Sequence, residues 1–271
     1  MGKRGFDGKT VLITGAARGI GYCTAMDFAK AGAVLVLTDL DGAALDEAAA
    51  KLREAGATVH TRVVNVSDKA AVDAMAAWVL ETLGHLDVLV NNAGVGHNGE
   101  LAETSLATWR KLVDVNFWGP LYHVYAFLPS MIRRRSGHIV NVSSGQAFFR
   151  LPTWGAYAAI KVALGAFSET LHFEMRKHGI RVTTVYPFMV NTGFYKGVEG
   201  ETLGGRLSMK LLPYYSMTPE RVGRIVFDSV RRNETVEMVS PINLLGYYMH
   251  LVPPLFGAVS WVTDRVLAKA A

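Results

Sequence analysis

The sequence predicts an α/β protein, a doubly wound parallel sheet with helices on both faces, built as a single domain with an apolar C-terminal extension. Three observations carry this. Seven short apolar, β-branched runs alternate with longer stretches of helical periodicity. The runs are continuously apolar rather than alternating in polarity, as strands buried on both faces must be. The 271 residues contain no repeat, low-complexity tract or linker, and single α/β domains commonly reach about 250 residues.

In chain order, strands are expected at Val11 to Thr14, Val34 to Thr38, Val59 to Val63, Leu86 to Val90, His138 to Val142, Val182 to Tyr186 and Val236 to Val239. A helix over Tyr22 to Ala31 joins the first two. Before the fourth, Val72, Met75, Val79, Leu80 and Leu83 recur at helical spacing behind Ser67, which is expected to cap them. Arg133-Arg134-Arg135 should form a solvated helix end, its cations complementing the helix dipole. A helical pattern starts at Gly155 and continues to the region of Lys177. Gly193 to Met217 shows no period and reads as a long loop on the substrate side. Thr218-Pro219 opens the last helix of the domain, with Val222, Ile225, Val226 and Val230 as its buried stripe. The domain proper spans 1–240 and the extension 241–271.

Composition excludes several classes of function. Half of the residues are hydrophobic and 19% are charged, against about 25% charged in a typical soluble domain, and the mean hydropathy is +0.21. That is too apolar for disorder. The net charge of +5 comes from 28 basic and 23 acidic residues spread along the chain, and no basic stripe interleaved with aromatics accompanies it, so nucleic acid is not an expected partner. Cys23 stands alone beside ten methionines, which fits a reducing, cytoplasmic compartment. The run Val11-Leu12-Ile13 is far too short for the apolar core of a signal peptide. None of the eight histidines pairs with Cys or carboxylates at ligand spacing, so no metal site is expected.

Thr14-Gly15-Ala16-Ala17-Arg18-Gly19-Ile20-Gly21 follows the first strand and leads into a helix. Glycines there permit a tight turn and let backbone N–H groups approach a pyrophosphate at the helix N-terminus. Asp39 ends the second strand, where a ribose hydroxyl needs an acceptor. The turn, its context and the acid together point to a Rossmann-type dinucleotide site. Asp39 would repel a 2′-phosphate, which favours NAD over NADP, while Arg18 in the turn pulls toward NADP. Farther on, Tyr157 and Lys161 are four residues apart in a helical pattern and share a face. A neighbouring ammonium favours a phenolate, which would tune Tyr157 as a general acid/base. Ser144 follows the fifth strand, at the sheet edge where such folds bind ligands. Asn116 lies in an apolar helical stretch, where a buried amide must find partners.

At these residues the chain resembles the short-chain dehydrogenase/reductase family. The turn from Thr14 to Gly21, Asn91-Asn92-Ala93-Gly94, Asn116, Ser144 and the Tyr157-x-x-x-Lys161 pair stand in the family's order and spacing, and the resemblance covers roughly residues 8 to 240. It implies that Tyr157 exchanges a proton with the substrate oxygen and that Ser144 hydrogen-bonds the same oxygen. It further implies that Lys161 binds the nicotinamide ribose and lowers the Tyr157 pKa, and that Asn116 holds the water of a proton relay. Asn65 and Val66 would flank the adenine, and Asn92, Ala93 and Gly94 would line the cofactor. In the segment opened by Pro187, Val190 and Thr192 would meet the nicotinamide carboxamide. The family usually forms homodimers or homotetramers. Three positions depart from its pattern: Phe188 stands where Gly is usual after Pro187, Ile160 where Ser is usual, and Asn65 where Asp is more frequent.

The residues expected around the reacting carbon are apolar: Val95, Phe148, Phe149, Leu151, Trp154, Phe188 and Met189, then Phe194, Tyr195, Leu207, Met209, Leu211, Leu212, Tyr214 and Tyr215 from the loop. His97 is a further candidate to face the substrate. Such a pocket suits a bulky lipophilic alcohol or ketone, a steroid or retinoid for example. The expectation is an NAD-dependent oxidoreductase for such compounds, with an NADPH-preferring carbonyl reductase and a catalytically silent dinucleotide sensor as alternatives. From Met238 to Thr263 no residue is formally charged. Residues 242–262 read as pocket wall or oligomer interface, or as a peripheral membrane contact, while Pro253-Pro254 opposes a continuous span.

Overall fold

Seven strands form one parallel sheet in the order β3-β2-β1-β4-β5-β6-β7. They are β1 (Thr10–Thr14), β2 (Val34–Asp39), β3 (Thr58–Val63), β4 (Val88–Asn91), β5 (Gly137–Val142), β6 (Ile180–Tyr186) and β7 (Val236–Met238). The computed structural model describes residues 5–192, 194, 216–249, 254, 257 and 261.

Successive strand residues point to opposite faces, and in the central strands β1, β2, β4, β5 and β6 both faces are largely buried. Ile13, Leu35 and Val90 pack with Phe28, Leu45 and Val226 on one side, while Leu12, Val36, Leu89 and Ile139 pack with Val79, Phe127 and Leu171 on the other. The double burial is why the strands read as unbroken apolar runs. The first layer consists of α1 (Gly19–Lys30), α2 (Gly42–Glu54) and α7 (Pro219–Arg232), and the second of α3 (Lys69–Leu83), α5 (Gly119–Arg134) and α6 (Gly155–Met175). A short α4 (Leu106–Val113) runs through a π-helical turn, Asp114–Trp118, into α5. The chain continues after β7 into α8 (Pro241–Met249). Among the described residues no helix is long and apolar enough to cross a membrane.

Helix ends follow their caps, with two corrections to the sequence reading. Thr218 caps α7 as expected, its hydroxyl accepting from the Arg221 N–H with Pro219 in the first turn. For α3 the cap is Asp68, which accepts from the Ala71 N–H, rather than Ser67. Ser67 is drawn instead to Asn65, whose Oδ1 accepts from both the Ser67 N–H and its hydroxyl. The Arg133 to Arg135 run does end α5, but Arg134 is not merely solvated. It donates to the Leu86 carbonyl and to Asp87, both at 3.0 Å, tying the helix end to the start of the β4 region.

Strand order reverses at β1, with β2 on one side and β4 on the other. Helices leave the two flanking strands toward opposite faces, so a crevice opens above the C-terminal ends of β1 and β4.

Candidate active site

The crevice is held open by hydrogen bonds between the ends of β1 and β4. The Thr14 hydroxyl accepts from the Asn92 N–H at 3.0 Å and the Ala93 N–H at 2.9 Å. The Asn92 Nδ2 returns bonds to the Thr14 and Gly15 carbonyls at 3.0 and 3.1 Å. Above this clamp Gly15 has φ +64°, and a Cβ there would lie 2.9 Å from the Ala93 Cα. Only glycine combines that conformation with that approach. Gly21 sits beneath the turn, where a Cβ would collide with the Gly15 carbonyl oxygen.

Asp39 reaches this turn from the end of β2. Its Oδ2 accepts from the Ala17 N–H at 3.0 Å and its Oδ1 from the Asp41 N–H at 3.1 Å. The carboxylate is thus fixed beside Arg18, the residue that precedes α1.

At the other end of the cleft β5 delivers Ser143 and Ser144, and α6 delivers Tyr157 and Lys161. The Ser143 hydroxyl donates to the Lys161 carbonyl at 2.8 Å. Lys161, 4% exposed, donates from Nζ to the Val142 carbonyl at 3.0 Å. Burial pushes its pKa down to about 8. The same Nζ lies 5.7 Å from the centre of the Tyr157 ring. Tyr157 is wedged edge-on against Trp154 at 5.8 Å and lies 5.7 Å from Phe194. The Ser144 Oγ accepts from the Gln146 N–H at 3.2 Å, which leaves its own hydrogen free to donate. Behind them, Asn91 donates to Asn141, Asn141 to Ser168 and Ser168 to the Leu164 carbonyl, a buried chain that joins β4, β5 and α6.

A cleft of about 890 Å³ joins the two ends. Of the residues expected from sequence, it brings together Gly15, Arg18, Gly19, Ile20, Asp39, Asn65, Val66, Asn92, Ala93, Gly94, Ser144, Tyr157, Lys161, Pro187, Val190 and Thr192. Two stand outside its lining. Gly21 shapes the turn from below. Asn116 is fully buried, its Oδ1 accepting from the Val95 N–H at 3.1 Å and its Nδ2 donating to the Val95 and Leu112 carbonyls at 3.0 Å. Its side chain thereby fixes the Val95 loop against the π-helical turn. Sequence reasoning missed Lys111, Val115, Ser143 and Gln146, which also line the cleft. Ser143 and Gln146 flank Ser144 in sequence, the one signal that could have found them.

Val95, Trp154, Phe188, Met189 and Phe194 form apolar lining as expected. Phe148, Phe149 and Leu151 do not line the cleft. Phe148 packs on Tyr186 and Tyr247, and Phe149 on Phe188. His97 turns instead to the Thr104 hydroxyl, 3.1 Å away. Tyr195, Leu207, Met209, Leu211, Leu212, Tyr214 and Tyr215 lie outside the described residues. Among the described residues no group of His, Cys, Asp or Glu could hold a metal ion.

The described part of the extension is α8. Asn243, Gly246 and Met249 are its buried face, and Asn243 donates to the Tyr186 carbonyl. Leu244, Leu245, Tyr247 and Tyr248 are exposed.

A family model described as short chain dehydrogenase matches residues 9–201. The chain is 37% identical over 241 residues to 17-beta-hydroxysteroid dehydrogenase 13 of Rattus norvegicus, covering 88% of this chain and 77% of that protein. Among solved structures, a short chain dehydrogenase/reductase from Burkholderia phymatum in complex with NAD is similar at TM-score 0.84 and 30% identity, over 92% of this chain and 94% of that one. A metagenomic short-chain oxidoreductase in complex with NADP is similar at TM-score 0.72 and 29% identity, over 86% of this chain and 97% of that one.

Proposed function

The chain belongs to the short-chain dehydrogenase/reductase family, an NAD(P)-dependent oxidoreductase by that membership, and from this premise we propose that it interconverts a lipophilic alcohol and its ketone or aldehyde, with NAD as the favoured cofactor. One observation carries the reading: a single cleft joins a glycine cradle and a fixed Asp39 carboxylate to the Ser144, Tyr157 and Lys161 group inside an apolar wall.

The cradle fits a dinucleotide. Without a Cβ, Gly15 and Gly19 leave the backbone N–H groups at the start of α1 open to a pyrophosphate. Asp39 would accept from ribose hydroxyls and repel a 2′-phosphate. A nicotinamide bound there supplies or takes up the hydride.

This chain's own residues handle the proton. In alcohol oxidation, the Tyr157 phenolate takes the hydroxyl proton as the carbonyl forms, and in reduction the phenol returns it. Ser144 donates to the same oxygen, since its acceptor side is engaged by Gln146. Lys161, charged at neutral pH and buried beside the Tyr157 ring, stabilises the phenolate through a low-dielectric path. The similarity to 17-beta-hydroxysteroid dehydrogenase 13 of Rattus norvegicus supports a steroid-like substrate. Arg18, in the same cleft as Asp39, favours a second reading as an NADPH-preferring carbonyl reductase.

The test is a panel of steroid and retinoid alcohols, sugars and hydroxy acids with NAD and NADP. NAD-linked oxidation of the lipophilic alcohols is expected, and preferential turnover of sugars or hydroxy acids would overturn the substrate class. Tyr157→Phe should lower turnover by about 100-fold or more while NAD affinity, read by calorimetry, stays within about threefold. A variant that kept wild-type turnover would remove Tyr157 from the mechanism. The exposed apolar residues of α8 support a peripheral membrane contact through 242–262; absence of flotation with liposomes would refute it.

A further inference from the structure

Gln146 lies two residues beyond Ser144, is 5% exposed, and lines the cleft. Its backbone N–H donates to the Ser144 Oγ, and its side-chain oxygen accepts from the Leu151 N–H at 3.1 Å. The second bond fixes the orientation of the amide, because the opposite one would set N–H against N–H. The Gln146 Nε2, with two hydrogens, therefore faces away from Leu151. Among the described residues it has no acceptor, yet it is not among the atoms sealed in the interior, so its open side is the cleft.

The setting makes that donor informative. Leu151 packs with Trp154, Tyr157 and Phe194 in an apolar cluster, and the amide is joined to that cluster through the Leu151 N–H. A donor largely withdrawn from water in apolar surroundings is costly to leave unmet, and a ligand oxygen that meets it gains selectively over one that lacks it. We infer that Gln146 is a specificity-determining residue whose Nε2 donates to a second oxygen of the substrate, so that the preferred lipophilic substrate carries an acceptor oxygen on a carbon near the reacting one. Proximity follows from the chain path. Ser144 and Gln146 are two positions apart and hydrogen-bonded, so their two donors are separated by no more than about a side-chain length. The identity of the reacting carbon rests on the proposed function; the orientation of the donor does not.

Phenylpropanedione and propiophenone form a matched pair that differs by one acceptor oxygen. Their affinities for the NAD-saturated protein, where neither ketone can be reduced, are read by calorimetry. The wild type is expected to bind the dione about tenfold more tightly. Two variants remove the donor differently: Gln146→Glu keeps the acceptor for the Leu151 N–H, and Gln146→Met is neutral and of similar length. In both, the preference should fall to within about threefold while propiophenone affinity changes by less than about threefold. Equal binding of the pair by the wild type, or equal weakening of both compounds in the variants, would overturn the assignment, the second outcome giving Gln146 a purely structural role. Reduction with NADH or NADPH is followed separately. A wild type that shows the dione preference, lost in the variants, but reduces neither ketone would refute the oxidoreductase reading while supporting the donor.

Discussion

Replacing Lys161 by Met should make the folded protein more stable and the enzyme almost inactive. The ammonium is buried among β5 and α6 with the Val142 carbonyl as acceptor, and burial pushes its pKa from 10.5 down to about 8. A folded-state pKa below the unfolded one means that folding disfavours the charged form. As pH falls from 10.5 toward 8, the unfolded chain takes up a proton that the folded chain does not, so stability falls across that window and rises again as pH is raised. Below it both states are protonated and the whole penalty applies. At about 1.4 kcal/mol per pH unit between the two values, the penalty is roughly 3 kcal/mol near neutrality. Methionine removes it and also removes one hydrogen bond worth about 1 kcal/mol net. The remaining gain of about 2 kcal/mol corresponds to a Tm increase of roughly 4–8 °C for a chain of this size. Thermal unfolding of the ligand-free protein, followed by circular dichroism near pH 7 and again near pH 10, reads both the gain and its decline at high pH. Turnover of the variant should drop by about 100-fold or more. A variant less stable than wild type at neutral pH, or a stability difference that does not change with pH, would refute this account of the buried charge.

Other perturbations separate the cofactor cradle from the core. Asp39→Ser removes the carboxylate fixed by Ala17 and Asp41, and the NADH to NADPH ratio of kcat/KM should fall by about tenfold or more; an unchanged ratio would detach Asp39 from cofactor choice. Gly15→Ala combines a left-handed backbone with a Cβ 2.9 Å from Ala93, so a loss of about 2 kcal/mol or more in urea unfolding and weaker NAD binding are expected. Gly56→Ala, with a positive φ but nothing within 4 Å, is the control and should cost only about 1 kcal/mol; equal losses would show that the clash contributes nothing. Burial lowers the His123 and His138 pKa values to about 4, Arg181 adding to the effect at His138. Between 6.5 and 4 the unfolded chain takes up protons that the folded chain refuses, so stability should fall with pH in that window by roughly 1.4 kcal/mol per pH unit for each. His138→Gln should flatten that slope in urea titrations, and an unaltered slope would count against it.

What could be read from the sequence was what local physics repeats. Strand runs such as Leu12-Ile13 and Val140-Asn141-Val142 announced themselves because both faces of the sheet are buried. The glycine turn, Asp39, Ser144 and the Tyr157 and Lys161 pair were visible because chemistry requires those types at those spacings. The α3 cap was a competition between adjacent good caps, settled by Asn65 capturing Ser67. Asn116 could be recognised as a buried amide needing partners. Its side-chain partners could not be foreseen, because one set lies at Val95, 21 residues upstream and on another element. Gln146 carries no period or motif; its meaning arises only when the Leu151 N–H selects one end of the amide.

The apolar excess of the composition resolves into two physical sources. One is the sheet, whose central strands need apolar residues toward both helical layers and so leave little room for charge. The other is the extension, and α8 shows how it arises. Its buried positions are three apart, at Asn243, Gly246 and Met249, which is one helix face. Asn243 reaches the Tyr186 carbonyl, and Gly246 lies so close to Phe149 that a Cβ would stand 2.8 Å from its backbone nitrogen. That seat is made by Asn243, Gly246 and Met249, and Leu244, Leu245, Tyr247 and Tyr248 lie on the outer side. The outer face of α8 therefore adds to the apolar excess through Leu244, Leu245, Tyr247 and Tyr248, while the seat behind Ser144 is made by the opposite face.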